Sequence, residues 1–391
     1  MSDGIPNRRA LRWLALICVL LIAHGSLWPY QIVYPASFAV AFAAMLHQPS
    51  WWTGLGDVVG NIVLFVPLGA LCTMLLPDRP AARAPAALAM LTASAAFAFA
   101  LQVLQIYIPA REAGLSDAVW NCVGQVIGMS AAPLLRRLLP TQQGPASTRV
   151  PNRALVGLWM TLQLWPLIPT IDWQHIKDSL RPLLLAPAWS TGSALESSLG
   201  IALVGHLLRN ERHRAGLVLA GAAASSIGRI FIVDQVLTLP HGVGLLVGLG
   251  IAWALWRASE ATAVTLSALA ALAWFSADEL RPFEPADRAH GFEWLPFVAA
   301  LQGSMGANTF ALGWSFFWLG IVVVQVHEQR GRSTAAAIAL CLWVLALEGL
   351  QTWLPGRSAE VTPALLPLVW SLLLRALGAP ARSPRAVLPS P

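Results

Sequence analysis

Apolar residues run along this chain in long continuous blocks, broken by short polar segments rich in arginine and proline. The blocks do not alternate as strands do, and many reach the roughly 20 residues a helix needs to cross a bilayer. The pattern predicts about twelve spans, near residues 11–28, 57–76, 85–108, 117–139, 154–171, 193–209, 215–236, 240–257, 261–277, 308–327, 334–354 and 361–378. Two apolar pieces, Phe38–Leu46 and Leu295–Leu301, are too short to span, and the first is expected to lie at the membrane interface. The polar linker Pro140–Asn152 closes off the first four spans. Three membrane regions are expected, 1–140, 141–260 and 261–380, each with about four spans, followed by a disordered Pro- and Ala-rich tail at 381–391.

Composition agrees. Of 391 residues, 57% are hydrophobic and 11% charged, against about 25% charged in soluble domains. The expected class is an all-α polytopic transmembrane helical bundle. The net charge of +6 is carried almost wholly by arginine, with Lys177 the one lysine. These cations sit in short loops, so membrane topology explains them better than nucleic acid does. With both termini cytoplasmic, 18 fall inside and six outside, with Arg229 within a span, as the positive-inside rule requires. Arg8, Arg9 and Arg12 precede an apolar run that resembles a signal peptide, but no small-x-small cleavage site follows, and a retained first helix is expected. The four cysteines lie in apolar runs and read as buried hydrophobes.

An eleven-residue string recurs 246 positions apart: Leu101–Arg111 aligns with Leu347–Arg357, both ending in Pro-x-Arg. The Leu-x-Pro-aromatic sequences Leu27–Tyr30 and Leu280–Phe283 extend the likeness upstream. An internal duplication is therefore expected.

In the first copy, costly polar residues gather at the outer helix ends. Asp57 and Asn61 stand four apart, Gln102 and Gln105 three apart, and Asp117 and Asn121 four apart, so each pair shares a helical face. Arg111 lies in the loop between. Gly124 and Gly128 permit close helix packing. Each polar residue has a bland reading: aspartate as a cap, Arg111 as a loop anchor. As a group they suggest a site, because intramembrane polar residues face cavities and substrate paths.

Asp57-x3-Asn61-x3-Phe65-x-Pro67-x-Gly69, followed by Gln102-x2-Gln105-x5-Arg111-x5-Asp117-x3-Asn121-x2-Gly124-x3-Gly128, resembles the VanZ-like family over about residues 10–140. That family comprises bacterial membrane proteins named for a teicoplanin resistance determinant. The resemblance implies a multi-pass protein of the bacterial cytoplasmic membrane, related to antibiotic resistance and the cell envelope. One position departs: the family usually has Glu where this chain has Gln102. Residues 265–378 look like a degenerate second copy, in which Asn308, Glu348, Gln351 and Arg357 take the site positions and Glu348 restores the carboxylate. Pro363 and Pro367 replace the Asp117 and Asn121 equivalents. In the middle region, His241-x2-Gly244-x3-Gly248 echoes Asn121-x2-Gly124-x3-Gly128 and raises a third repeat.

No HExxH, CxxC, phosphate-binding glycine loop or GxSxG motif occurs, so no metal and no cofactor is expected. Arginine suits phosphate or carboxylate, and amides suit sugar hydroxyls. The expectation is a site for a membrane lipid or a lipid-linked envelope precursor, with Arg111 engaging the anion and Asp57, Asp117, Gln105 and Asn121 orienting it. Binding is favoured over catalysis. The alternatives are a transporter or flippase with parallel repeats, an intramembrane transferase or hydrolase using Asp57 and Asp117, and a scaffold for envelope or polysaccharide machinery.

Overall fold

The structure, a computed structural model, describes residues 7–47, 55–138, 149–185, 187–302 and 305–377. These residues are all-helical, with fifteen helices and two isolated β-bridges. They fall into two compact units, one drawn from 1–142 with 375–378, the other from 143–374. The tail at 381–391 and most of the linker lie outside the described residues.

The first unit contains α1 (Arg8–Leu27), α2 (Phe38–Leu46), α3 (Leu55–Leu75), α4 (Pro80–Gln105) and α5 (Leu115–Leu138). Asn7 caps α1 by accepting from the Arg9 and Ala10 amides, satisfying donors that a helix start leaves free. Ile22, Phe65, Leu68, Ala98, Leu101 and Ala118 form its core. Helices α3 and α5 pack backbone to backbone. A Cβ added to Gly69, Gly124 or Gly128 would meet the carbonyl oxygens of Gln125, Ile62 and Val66 respectively. Only glycine allows this approach, which matches the small-residue spacing read from the sequence.

The second unit contains α6 (Arg149–Gln163), α7 (Trp173–Leu184), α8 (Thr191–Leu207), α9 (Arg214–Phe231), α10 (Leu239–Arg257), α11 (Glu260–Glu279), α12 (Val298–Leu301), α13 (Met305–Arg330), α14 (Ser333–Gln351) and α15 (Thr362–Ala376). Helix α13 is its axis: Phe317, Trp318, Leu319, Ile321, Val323 and Val324 are all completely buried. Leu88 in the first unit, and Leu246 and Leu342 in the second, illustrate the opposite case, apolar side chains turned outward. Such exposure is costly in water and ordinary against lipid.

Each of the twelve anticipated segments is a helix, and α2 and α12 take the two short apolar pieces. Among the described residues, seven helices are long and apolar enough to cross a membrane: α1, α3, α4, α10, α11, α13 and α14. That is fewer than twelve. Helices α6, α8 and α15 have 15, 17 and 15 residues, short of a full crossing at 1.5 Å per residue. Helix α7 was not anticipated, because Lys177, Asp178 and Arg181 interrupt its apolar pattern.

One backbone arrangement occurs three times. After α1, Tyr30 N–H donates to the Leu27 carbonyl (2.9 Å), and three residues on Val33 N–H donates to Tyr107 beyond α4 (2.8 Å). After α6, Leu167 N–H donates to Leu164 (2.7 Å) and Thr170 N–H to Phe231 (2.7 Å). After α11, Phe283 N–H donates to Leu280 (2.9 Å) and Ala286 N–H to Trp353 (2.6 Å). The middle instance sits on Leu164-Trp165-Pro166-Leu167, a Leu-x-Pro sequence without the aromatic that marks the other two. Helices α8 and α10 also repeat the α3–α5 packing: a Cβ on Gly244 or Gly248 would strike the Ala194 or Ser198 carbonyl.

Candidate functional site

In the first unit, the polar residues singled out by spacing lie at one end of α3, α4 and α5, and much of their hydrogen bonding goes to the backbone. Gln102 and Gln105 are buried at the end of α4. The Gln102 Oε1 accepts from Gly114 N–H (3.0 Å) just before α5. The Gln105 Nε2 donates to the Ser26 carbonyl (2.9 Å). Arg111 donates through Nε to the Trp28 carbonyl (2.8 Å) and through Nη2 to Gly25 (2.7 Å). The last carbonyls of α1 have no intrahelical partner, and Arg111 supplies one along with a charge that suits the helix C-terminus. Burial lowers its pKa from the ordinary value.

Asp117 and Asn61 hydrogen-bond across the α3–α5 seam, with the Asp57 and Glu112 carboxylates close enough to act on Asp117. Asn121 is 2% exposed, and its Oδ1 has no hydrogen-bond partner among the described residues. Asp57 itself is exposed. The glycine seam brings Asp57, Asn61, Asp117 and Asn121 to one place, while Gln102, Gln105 and Arg111 tie the loops around it.

The C-terminal candidates are arranged around space. Asn308, Glu348, Gln351 and Arg357 all line one cavity of about 250 Å³. Spacing did not single out its other acidic walls, Asp278, Glu279 and Glu360. Glu360 stands 246 positions after Gly114, the same offset that relates Glu348 to Gln102, so that offset carried the missing signal. Glu348 is 2% exposed, and its Oε2 accepts from Glu360 N–H (3.0 Å), repeating the Gln102–Gly114 bond. Arg357 donates through Nε to Arg281 O (2.9 Å) and through Nη2 to Asp278 O, repeating the Arg111 pattern. Its Nη1 is 4.0 Å from Glu279 Oε2, which also accepts from Gln351 Nε2 (2.6 Å). Asn308 Nδ2 donates to the carbonyls of Ala299 and Gln302 (both 2.8 Å) at the end of α12. Burial raises the Glu360 carboxyl above its ordinary value.

A residue exchange accounts for the opening. Trp370 stands 246 positions after Gly124. Its indole stacks on Phe316 and donates to the Phe316 carbonyl (2.8 Å), against Gly320. A tryptophan therefore stands between α13 and α15 where glycine lets α3 and α5 touch. Towards the helix ends, Asn308, Ala311, Leu312 and Ser315 of α13 and Pro363 of α15 border the cavity.

The middle region makes related bonds with exchanged side chains. Gln235 Nε2 donates to the Trp165 carbonyl (2.6 Å), as Arg111 does to Trp28. Arg229 reaches Gln235 Oε1 and Gln163 Oε1 (3.1 Å each). Two side-chain amides hold Arg229. His241 is buried between Ser197 Oγ (2.9 Å from Nδ1) and Ser225 Oγ (3.4 Å from Nε2). It is a buried residue with a partner on each ring nitrogen.

These observations define a multi-pass helical membrane protein with polar side chains collected at helix ends. Residues 13–136 match the VanZ/LLP1 family model, so the N-terminal region is VanZ-like; the match includes no second copy. No curated protein and no solved structure matches the chain.

Proposed function

We propose that this VanZ-type membrane protein binds the polar headgroup of a membrane lipid or lipid-linked envelope precursor at the extracytoplasmic ends of its helices. The observation that carries this reading is the convergence of Asn308, Glu348, Gln351 and Arg357 on a single polar cavity. The cavity is smaller than the roughly 300–1,000 Å³ pockets that enclose drug-sized ligands. It suits one headgroup or one sugar, with the apolar remainder of the ligand left in the bilayer. On this reading Arg111 and Arg357 shape the site by holding the preceding helix end, rather than clamping an anion. The α3–α5 cluster of Asp57, Asn61, Asp117 and Asn121 serves as a second polar surface.

Native mass spectrometry of protein released from its own membranes tests this. Ala311 is an exposed helical residue on the cavity wall, so Ala311→Phe fills space at little cost to folding. The wild type should retain a lipid or lipid-linked species that Ala311→Phe loses. Equal retention by both proteins would remove the cavity from the account.

A further inference from the structure

We infer that the C-terminal cavity recognises a primary ammonium group, such as the amine of an aminated lipid headgroup; this rests on the headgroup-binding reading above. Four carboxylates line the cavity, Asp278, Glu279, Glu348 and Glu360, and one cation, Arg357. The nearby Arg281 pairs with Asp278 at 3.4 Å. Counting both arginines leaves two more carboxyl than guanidinium groups around a small space.

The second observation is Glu348 itself. It is 2% exposed, and one oxygen takes the Glu360 amide. No hydrogen bond reaches its Oε1 from any described residue, yet the side chain lines the cavity. A buried carboxylate is costly without a donor or a countercharge. Arg357, the nearest cation, already directs Nε and Nη2 to backbone carbonyls and Nη1 towards Glu279. A ligand ammonium brings three donors and one positive charge. It would answer Glu348 Oε1 first, with Glu360 and the carbonyl side of Asn308 within the same lining. A metal ion is a weaker fit, because the described His, Cys, Asp and Glu side chains form no group of three placed to hold one. An anionic headgroup would meet four carboxyl groups and one guanidinium in the lining.

The N-terminal region supplies the control. There Gln102 holds the position of Glu348 and makes the same bond to the loop backbone. An amide therefore supports this architecture, and Glu348→Gln is expected to fold while losing the charge.

The test uses the full-length protein in detergent with three short-chain probes, dihexanoyl phosphatidylethanolamine, dihexanoyl phosphatidylglycerol and dihexanoyl phosphatidylcholine, and with free ethanolamine. The wild type should bind phosphatidylethanolamine at least about tenfold more tightly than phosphatidylglycerol, a difference of about 1.4 kcal/mol. Phosphatidylcholine, which offers no N–H, should fall between or below. Glu348→Gln should erase the preference while melting as the wild type does. Free ethanolamine competing as well as the lipid would support the ammonium site and assign it to a soluble amine. Equal binding of ethanolamine and glycerol lipids, lost in Ala311→Phe, would overturn the ammonium inference and leave the headgroup reading standing. Failure of every probe to bind would overturn both.

Discussion

Helices α3 and α5 carry the polar cluster on opposing faces, so their separation fixes its geometry, and Gly128→Ala tests that directly. An ideal Cβ on Gly128 would sit 2.0 Å from the Val66 carbonyl oxygen and 2.9 Å from the Ala70 nitrogen. Real Cβ contacts stay beyond 3.0 Å, so the two backbones must part by about 1 Å (3.0 − 2.0). A gap of about 0.5–1 Å already forfeits a quarter to a half of each dispersion contact along the seam. Overpacking of this kind costs about 1–3 kcal/mol. Gly128→Ala should therefore lower the unfolding free energy by about 2 kcal/mol, measured by reversible denaturation in mixed micelles. Gly216→Ala is the matched control, because its added Cβ meets no atom within 4 Å. It should leave stability unchanged or slightly raised. A Gly128→Ala protein as stable as wild type, or one no worse than Gly216→Ala, would refute the backbone-contact seam.

Arg111→Ala should cost about 2–3 kcal/mol through the lost charge-assisted bonds to Trp28 and Gly25. Arg111→Gln should recover roughly half, since Gln235 makes the equivalent bond to Trp165; thermal melting of the two variants checks the order. Trp370→Ala should destabilise by about 3–5 kcal/mol, because Gly320 leaves a hollow only the indole fills. Denaturant midpoints would show it. The pH dependence of Glu360 follows from its sign: burial raises its folded-state pKa above the unfolded value. Ionisation therefore opposes folding as pH rises, and the penalty is relieved as pH falls through the raised pKa. The melting temperature of wild type relative to Glu360→Gln should increase on acidification; a flat difference would contradict this.

The helices were legible because lipid-facing helices need continuous apolar stretches, and each anticipated segment proved helical. The span count was less so. Short helices such as α6 and α8 contain apolar runs that extend into turns, and hydropathy alone does not show where the backbone leaves the helix. Pairs on one helical face, such as Asp117 with Asn121, and the close packing of Gly124 and Gly128 followed from helical periodicity. The role of Arg111 did not, because its partners are backbone carbonyls that no spacing pattern reports. The C-terminal cavity was half legible. Glu348, Gln351 and Arg357 stood out by their 246-residue offset, but Glu279 and Glu360 lie in the segments expected between spans. The wedge of Trp370 was invisible for a similar reason: a tryptophan in a membrane helix looks like an interfacial anchor until its partner glycine is known. The likeness of the middle region was obscured by exchange, since Gln235 bonds the Trp165 carbonyl where Arg111 bonds that of Trp28.

Electron cryo-microscopy of the protein purified with its native lipids is the most direct test of the headgroup site. Density for a bound headgroup is expected in the cavity bounded by Asn308, Glu348 and Glu360, within hydrogen-bond distance of Glu348 Oε1. A cavity holding only water, with lipid confined to the outer belt, would contradict it.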